Sequence, residues 1–161
     1  MDKKVFANSE EARELIKSLK SENNRIVFTN GVFDIIHRGH VEYLNEAKSL
    51  GDILVVGMNS DKSVKMIKGD KRPIVGQDNR AFVLSNLKAV DLVIFFDEDN
   101  PYNLIKTILP DILVKGADWS IDKIIGADIV QANGGVVKTI KYIENNSSSN
   151  IIERVIEIYC K

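Results

Sequence analysis

The stretch Ile26-Val27-Phe28-Thr29-Asn30-Gly31-Val32-Phe33-Asp34-Ile35-Ile36-His37-Arg38-Gly39-His40 decides how this chain folds. A β-branched run leads through a glycine turn into Val41, Leu44, Ala47 and Leu50, spaced to share one side of a helix. A strand delivered straight to a helix N-terminus is half of a βαβ unit. The turn places two imidazoles three residues apart at that N-terminus, where unpaired backbone N–H groups and the helix dipole attract anions. Gly39 lets a phosphate approach the backbone closely, and His37 and His40 can donate to its oxygens and gain positive charge beside it. They are the 2 histidines of the chain. A metal pair or an ordinary surface histidine fits this strand-to-helix setting less well.

Outward from this turn, compact apolar runs recur at Ile53-Leu54-Val55-Val56, Leu92-Val93-Ile94-Phe95-Phe96, Ile112-Leu113-Val114 and Val136-Val137-Lys138-Thr139-Ile140. Their continuous character predicts strands covered on both faces. Helical patterns separate them. The first stops at Gly51, a residue suited to the left-handed conformation that ends helices. Asp78 is positioned to cap a helix with Ala81, Phe82, Leu84 and Leu87, and Asn100-Pro101 opens another with Leu104, Ile105 and Ile108 that Pro110 closes. Ser9 caps an N-terminal helix over about 9–20. Gly134-Gly135 reads as a helix stop and turn. The expectation is a doubly wound, Rossmann-like α/β domain, a five-stranded parallel sheet with helices on both faces, whose core covers about 25–159. Ligands on such sheets bind beyond the carboxyl ends of the strands.

Composition narrows the function. With 161 residues, 44% hydrophobic and 28% charged, the chain suits one globular domain over 1–161 and nothing disordered or collagenous. Twenty-two Lys and Arg balance 23 Asp and Glu, so no bulk field exists to hold nucleic acid or a membrane surface. Anion binding must be local. The lone Cys160 forms no intrachain disulfide or thiolate metal site, and no window approaches the ~18 apolar residues of a membrane span or a signal-peptide core. A soluble, unprocessed, cytoplasmic protein is expected.

The pattern Gly31-x-Phe33-Asp34-x-x-His37-x-Gly39-His40 resembles the signature of the His-x-Gly-His nucleotidyltransferases, a superfamily of cytidylyltransferases, pantetheine-phosphate adenylyltransferase and class I aminoacyl-tRNA synthetases. Further stretches narrow the resemblance: Asn59-Ser60-Asp61-Lys62-Ser63-Val64, Lys68-Gly69-Asp70-Lys71-Arg72-Pro73, the segment from Arg80 to Leu87, Val90-Asp91, Pro110-Asp111-Ile112-Leu113-Val114-Lys115-Gly116, Gly126-Ala127-Asp128-Ile129-Val130 and Gly134-Gly135-Val136-Val137. In this order, over about 5–159, they resemble the adenylyltransferases that make ADP-heptose from D-glycero-β-D-manno-heptose 1-phosphate for lipopolysaccharide or related surface glycans. In many bacteria that unit follows a sugar kinase domain. A chain of 161 residues looks like the stand-alone form.

The resemblance implies transfer of AMP from ATP to the sugar 1-phosphate, with magnesium on the triphosphate, no dedicated protein metal cage, and a homodimer. It implies catalytic roles for His37, His40 and Lys71, and nucleotide contacts at Asn30, Gly31, Val32, Phe33, Gly39, Lys115 and Gly116. Asp34, Lys68, Arg72, Asp118 and Trp119 fall to the acceptor side, with Asp34 the most plausible carboxylate near magnesium. Read from the residues alone, Lys68, Lys71 and Arg72 could equally form a solvated charge cluster, and Trp119 could fill the core. Lys115 ends a buried strand and needs an anion or water, which favours nucleotide contact.

One departure matters. Members usually carry Gly-x-Ser-Thr-Thr before the last helix, where this chain has Asn145-Asn146-Ser147-Ser148-Ser149. Serines keep the hydroxyls, so Ser147, Ser148 and Ser149 can hold outer phosphates, while Ser149 or Asn150 caps the helix with Glu153 closing a capping box. Two alternatives stay open: a cytidylyltransferase acting on glycerol 3-phosphate or another polyol phosphate, and a non-catalytic nucleotide-binding module.

Overall fold

The computed structural model describes residues 4–117, 120–141 and 147–160. Its sheet contains β1 (Val5–Phe6), β2 (Ile26–Gly31), β3 (Ile53–Asn59), β4 (Leu92–Phe96), β5 (Ile112–Gly116) and β6 (Val136–Ile140). All pairings are parallel, in the order β1-β4-β3-β2-β5-β6. Helices α1 (Ser9–Ser21), α2 (Arg38–Lys48), α3 (Asp61–Lys68), α4 (Gln77–Ser85), α5 (Tyr102–Ile108), α6 (Ala127–Ala132) and α7 (Ser148–Tyr159) complete the fold.

The five expected strands are present, joined by one more. Two residues, Val5 and Phe6, pair with Val93 and Ile94 to make β1 at the sheet edge. A two-residue strand carries no periodicity of its own, so only the tertiary pairing defines it.

Continuous apolar strands arise because both faces are covered. On one face Phe28, Ile94 and Leu113 meet Ala12, Ile16 and Leu19 of α1, Leu104, Ile105 and Ile108 of α5, and Val130 of α6. On the other, Val27, Val56 and Val114 meet Tyr43, Leu44 and Ala47 of α2 and Ala81 and Leu84 of α4. Each fully buried Leu, Ile or Phe contributes about 1.5–3 kcal/mol relative to exposure. Removing one from either layer therefore exceeds the effect of most surface changes.

Local signals resolve differently from expectation at several ends. Asn8, not Ser9, caps α1, accepting from the Glu11 N–H at 3.0 Å. Gly76 occupies the cap of α4, and Asp78 lies in its first turn. Ser147 caps α7, accepting from Asn150 N at 3.1 Å, which puts Glu153 beyond the third helical position that a capping box requires. Gly51 is not left-handed; a Cβ there would come within 2.7 Å of Val27 Cγ2 and 2.8 Å of the Arg25 carbonyl. Close approach, not helix termination, requires that glycine. The ends of α5 and α6 agree with the reading: Leu109 at φ 46° precedes Pro110, and Gly134 at φ 80° follows α6.

From β2 the chain runs outward to β3 and β4, then returns to β5 beside β2. That reversal opens a crevice beyond the carboxyl ends of β2 and β5, where open α/β sheets bind ligands.

Candidate active site

The crevice holds a cleft of about 550 Å³. Asn30, Gly31 and Val32 from the end of β2, Asn59 from β3 and Lys115 from β5 form its base, and Lys68 enters from α3. Ile67, Pro101, Ile124 and Ile125 give it apolar walls. The Lys115 ammonium donates to Asn30 Oδ1 at 2.9 Å, joining the two strands at the switch point. The base thus collects Asn30, Gly31, Val32, Lys68 and Lys115 from the sequence reading, while buried Gly116 ends β5 beside it.

After β2 the backbone turns sharply into α2. Phe33 and Ile35 both adopt φ 52°. For a β-branched residue this is a real outlier, with a cost of order 1–3 kcal/mol that surrounding structure must sustain. Between them Asp34 is 2% exposed. Its Oδ2 accepts from Arg72 Nε at 2.9 Å and Ile74 N at 2.8 Å, and its Oδ1 from Val75 N at 2.9 Å. Burial alone would raise its pKa, but the two backbone N–H bonds and the Arg72 guanidinium together hold the carboxyl below its ordinary range. The Ser148 hydroxyl donates to the Asp34 carbonyl, bringing the start of α7 to the same turn.

A buried arginine ties this turn to the rest of the site. Arg80, 1% exposed, donates from Nη1 to the carbonyls of Val32 at 2.6 Å and Asn59 at 2.9 Å. Its Nε reaches the Val75 carbonyl at 2.9 Å and its Nη2 the Asp61 carboxylate at 2.7 Å. Sequence reading assigned Arg80 no role. The signal was present: Arg80 stands four residues before Leu84 and beside Ala81, on the face of α4 that packs inward.

The turn delivers the histidines. His37 stands at the N-cap of α2 in extended conformation, and the first helical turn carries no acidic residue. The two imidazoles lie 4.0 Å apart between ring centroids, tilted by 33°, with the Phe33 ring 5.4 Å from His40. The His37 N–H points to His40 Nδ1 at 3.4 Å, so a neutral His40 carries its proton on Nε2 and can donate it outward. His37 Nδ1 is buried and has no hydrogen-bond partner among the described residues. Burial, with His37 and Lys68 adding to it against an opposing Asp34, brings the pKa of His40 down to about 4, and burial lowers that of His37. Both rings are therefore neutral near pH 7, close-set donors at a helix N-terminus whose field attracts anions.

Other expected residues fall at varied distances from this centre. Gly39 is buried in the first turn of α2. Lys71 is exposed on the loop after α3, and Arg72 on the same loop turns inward to Asp34. Ser147 and Ser148 start α7 half-buried, while Ser149 is exposed. Asp118, Trp119, Asn145 and Asn146 lie outside the described residues. Asn59 and the isoleucine walls were not anticipated, because their approach to the cleft depends on strand order.

Comparison with known proteins agrees with this geometry. Residues 28–154 match the model of the cytidylyltransferase-like family. The chain is 46% identical over 145 residues to the bifunctional protein HldE of Geobacter sulfurreducens, covering 90% of this chain and 30% of that protein. It is 51% identical over 146 residues to the bifunctional protein HldE of a Nitratiruptor species, covering 91% and 31% respectively. The chain thus spans under a third of the length of these curated relatives. Among solved structures, the lipopolysaccharide core biosynthesis protein of Thermoplasma volcanium superposes with a TM-score of 0.59 at 31% identity, covering 76% of this chain and 99% of that one. Sequence, sheet order and the His-x-Gly-His turn agree: the chain belongs to the cytidylyltransferase-like family.

Proposed function

We propose that this chain transfers AMP from ATP to D-glycero-β-D-manno-heptose 1-phosphate, giving ADP-heptose and pyrophosphate for the lipopolysaccharide core or a related surface glycan. The observation that carries the reading is the close-set, neutral His37–His40 pair at the start of α2, within electrostatic reach of the Lys68 that lines the cleft. The motif order along the chain and its resemblance to ADP-heptose-forming adenylyltransferases suggest the acceptor, and the solved relative named as a lipopolysaccharide core biosynthesis protein supports the pathway.

In the proposed reaction an acceptor phosphate oxygen attacks the α-phosphorus, the bond from that phosphorus to the β-bridging oxygen breaks, and pyrophosphate leaves with the electron pair. The nucleophile is already an anion, so no strong base is needed, and catalysis rests on in-line positioning and neutralisation of developing charge. His37 and His40 donate to the phosphate oxygens from fixed positions. Lys68 and Lys115 contribute charge at the cleft, and Lys71 reaches the phosphates from its loop. Gly31, Val32 and Phe33 shape the nucleotide's seat, and Ser147 to Ser149 offer hydroxyls to the outer phosphates.

Magnesium is expected to arrive on the triphosphate, where it neutralises phosphate charge. Among the described residues no group of three or more His, Cys, Asp or Glu side chains is placed to hold a metal ion. Asp34, engaged by three protein donors, does not fit a metal ligand. None of the described helices is long and apolar enough to cross a membrane. A cytoplasmic site of action is part of the proposal. A homodimer is part of the proposal, supported by the exposed Val155, Ile156, Ile158 and Tyr159 of α7. Light scattering at twice the 18.0 kDa chain mass is expected, and a monomer mass rejects the dimer.

The substrate test supplies ATP, CTP, GTP or UTP with heptose 1-phosphate or glycerol 3-phosphate and follows pyrophosphate. ATP with heptose 1-phosphate should lead by at least an order of magnitude. Preference for CTP with glycerol 3-phosphate replaces the proposal with a cytidylyltransferase, and triphosphate binding without pyrophosphate in every pairing reduces the chain to a binding module.

A further inference from the structure

We infer that Asp34 is a positioning residue, a carboxylate latch that locks the loop at 72–75 onto the turn carrying His37 and His40, and that it contacts neither metal nor acceptor. The inference rests on the proposed nucleotidyl transfer for its catalytic consequence, but not for its structural one.

Two segments far apart in sequence converge on Asp34. Its side chain takes the Arg72 guanidinium and the Ile74 and Val75 N–H groups at 2.8–2.9 Å, and its carbonyl takes the Ser148 hydroxyl. An ionised carboxylate has about four acceptor sites, and three are occupied by donors of the protein itself. The side chain is 1% exposed. A divalent cation at either oxygen would displace an N–H donor and stand against a guanidinium already in place, with like charges in a poorly solvated pocket.

The latch answers a need visible in the backbone. Left-handed Phe33 and Ile35 flank Asp34, and neither residue type holds that conformation on its own. Pinning the side chain between them fixes both dihedrals, and through them the exit of the chain into His37. The same bonds fix the end of the loop that follows α3 and carries Lys71. Arg80 braces the assembly from the other side, through the Val32 and Val75 carbonyls.

The test is amide hydrogen exchange on Asp34→Asn, read without substrate. Asparagine keeps the shape but turns an NH₂ group toward at least one of the donors, so exchange at Ile74 or Val75 should accelerate at least tenfold while Leu44 and Ala47 in α2 stay protected. Turnover should fall at least tenfold, and the magnesium concentration for half-maximal turnover should stay within twofold of the wild type. Unchanged exchange at both amides overturns the latch. A tenfold rise in magnesium requirement overturns it too, whatever the loop does, because that is the behaviour of a metal ligand. Should Asp34→Asn fail to fold, Arg72→Gln is judged by the same exchange and magnesium criteria. If the wild type makes no ADP-heptose, the substrate assignment fails, and the exchange measurement still decides the latch.

Discussion

Two helix N-termini meet at the Asp34 turn, and they are built in opposite ways. The start of α2 is over-determined: Gly39, Tyr43, Leu44 and Ala47 of that helix are buried, and the turn before it is held by a carboxylate latch and a buried arginine. The start of α7 has little behind it. No residue of α7 is fully buried, Ile151 and Ile152 are half-buried, and among the described residues its start is tied by the Ser147 cap and the Ser148 bond to the Asp34 carbonyl. Both ends present N–H groups suited to phosphate. Only the first is pre-organised by the core, which suits it to the proposed transition-state donors, whereas the proposed contacts to outer phosphates fall to a helix with less of the core behind it.

The comparison breaks most visibly at the histidines. His37→Ala and His40→Ala should each lower turnover by roughly 10² or more, the usual loss for one fixed transition-state donor, with circular dichroism unchanged. Near-normal turnover in either variant would show that the α2 end is not the catalytic one.

A smaller effect belongs to α7. Ser147→Ala combined with Ser148→Ala should raise the apparent ATP constant about tenfold, since a hydrogen bond to a charged group is worth about 1.5–3 kcal/mol. Losing the Ser147 cap should also lower the melting temperature, by an amount corresponding to about 1 kcal/mol. Calorimetric titration beside a melting curve separates the parts. A lowered melting point with normal ATP affinity confines these serines to capping. Ser148→Ala alone should weaken ATP less than the pair, because its proton is committed to the Asp34 carbonyl.

The smallest effect is a pH dependence. The pKa of His40 is about 4 in the folded protein and near 6.5 when unfolded, so between those values the unfolded chain binds more protons. Stability from the neutral, half-buried ring is present above pH 6.5 and lost as pH falls toward 4. The melting temperature should decline across that window, and less so in His40→Gln. Bound phosphates act in the opposite sense, raising the histidine pKa values. ATP binding near pH 6 should therefore take up a fraction of a proton, seen as a buffer-dependent binding enthalpy. Proton release instead would mean that the phosphates lie away from the pair.

Much of this was legible in the chain. Strands buried on both faces announce themselves as β-branched runs, and a strand-turn-helix with two histidines announces the turn that sets the two rings side by side, because both signals are local. What escaped was non-local or ambiguous at short range. Strand β1 exists only through its pairing with β4. The caps of α1, α4 and α7 fell one to three residues from expectation because runs such as Asn8-Ser9 and Ser147-Ser148-Ser149 offer several capping side chains, and backbone geometry selects one. Asp34 read as a carboxylate for magnesium because its partners Arg72, Ile74 and Val75 stand 38 to 41 residues away. Arg80 received no individual role for the same reason, its acceptors lying on three other segments.

The central claim, that the α2 end receives the reacting phosphates, is tested most directly by a crystal structure of the protein with a non-hydrolysable ATP analogue. The account predicts the triphosphate across the start of α2, with His40 Nε2 and a His37 ring nitrogen within hydrogen-bond distance of its oxygens and the Asp34–Arg72 pair intact. A nucleotide whose phosphates rest elsewhere, with both imidazoles still facing only each other and Phe33, would contradict it.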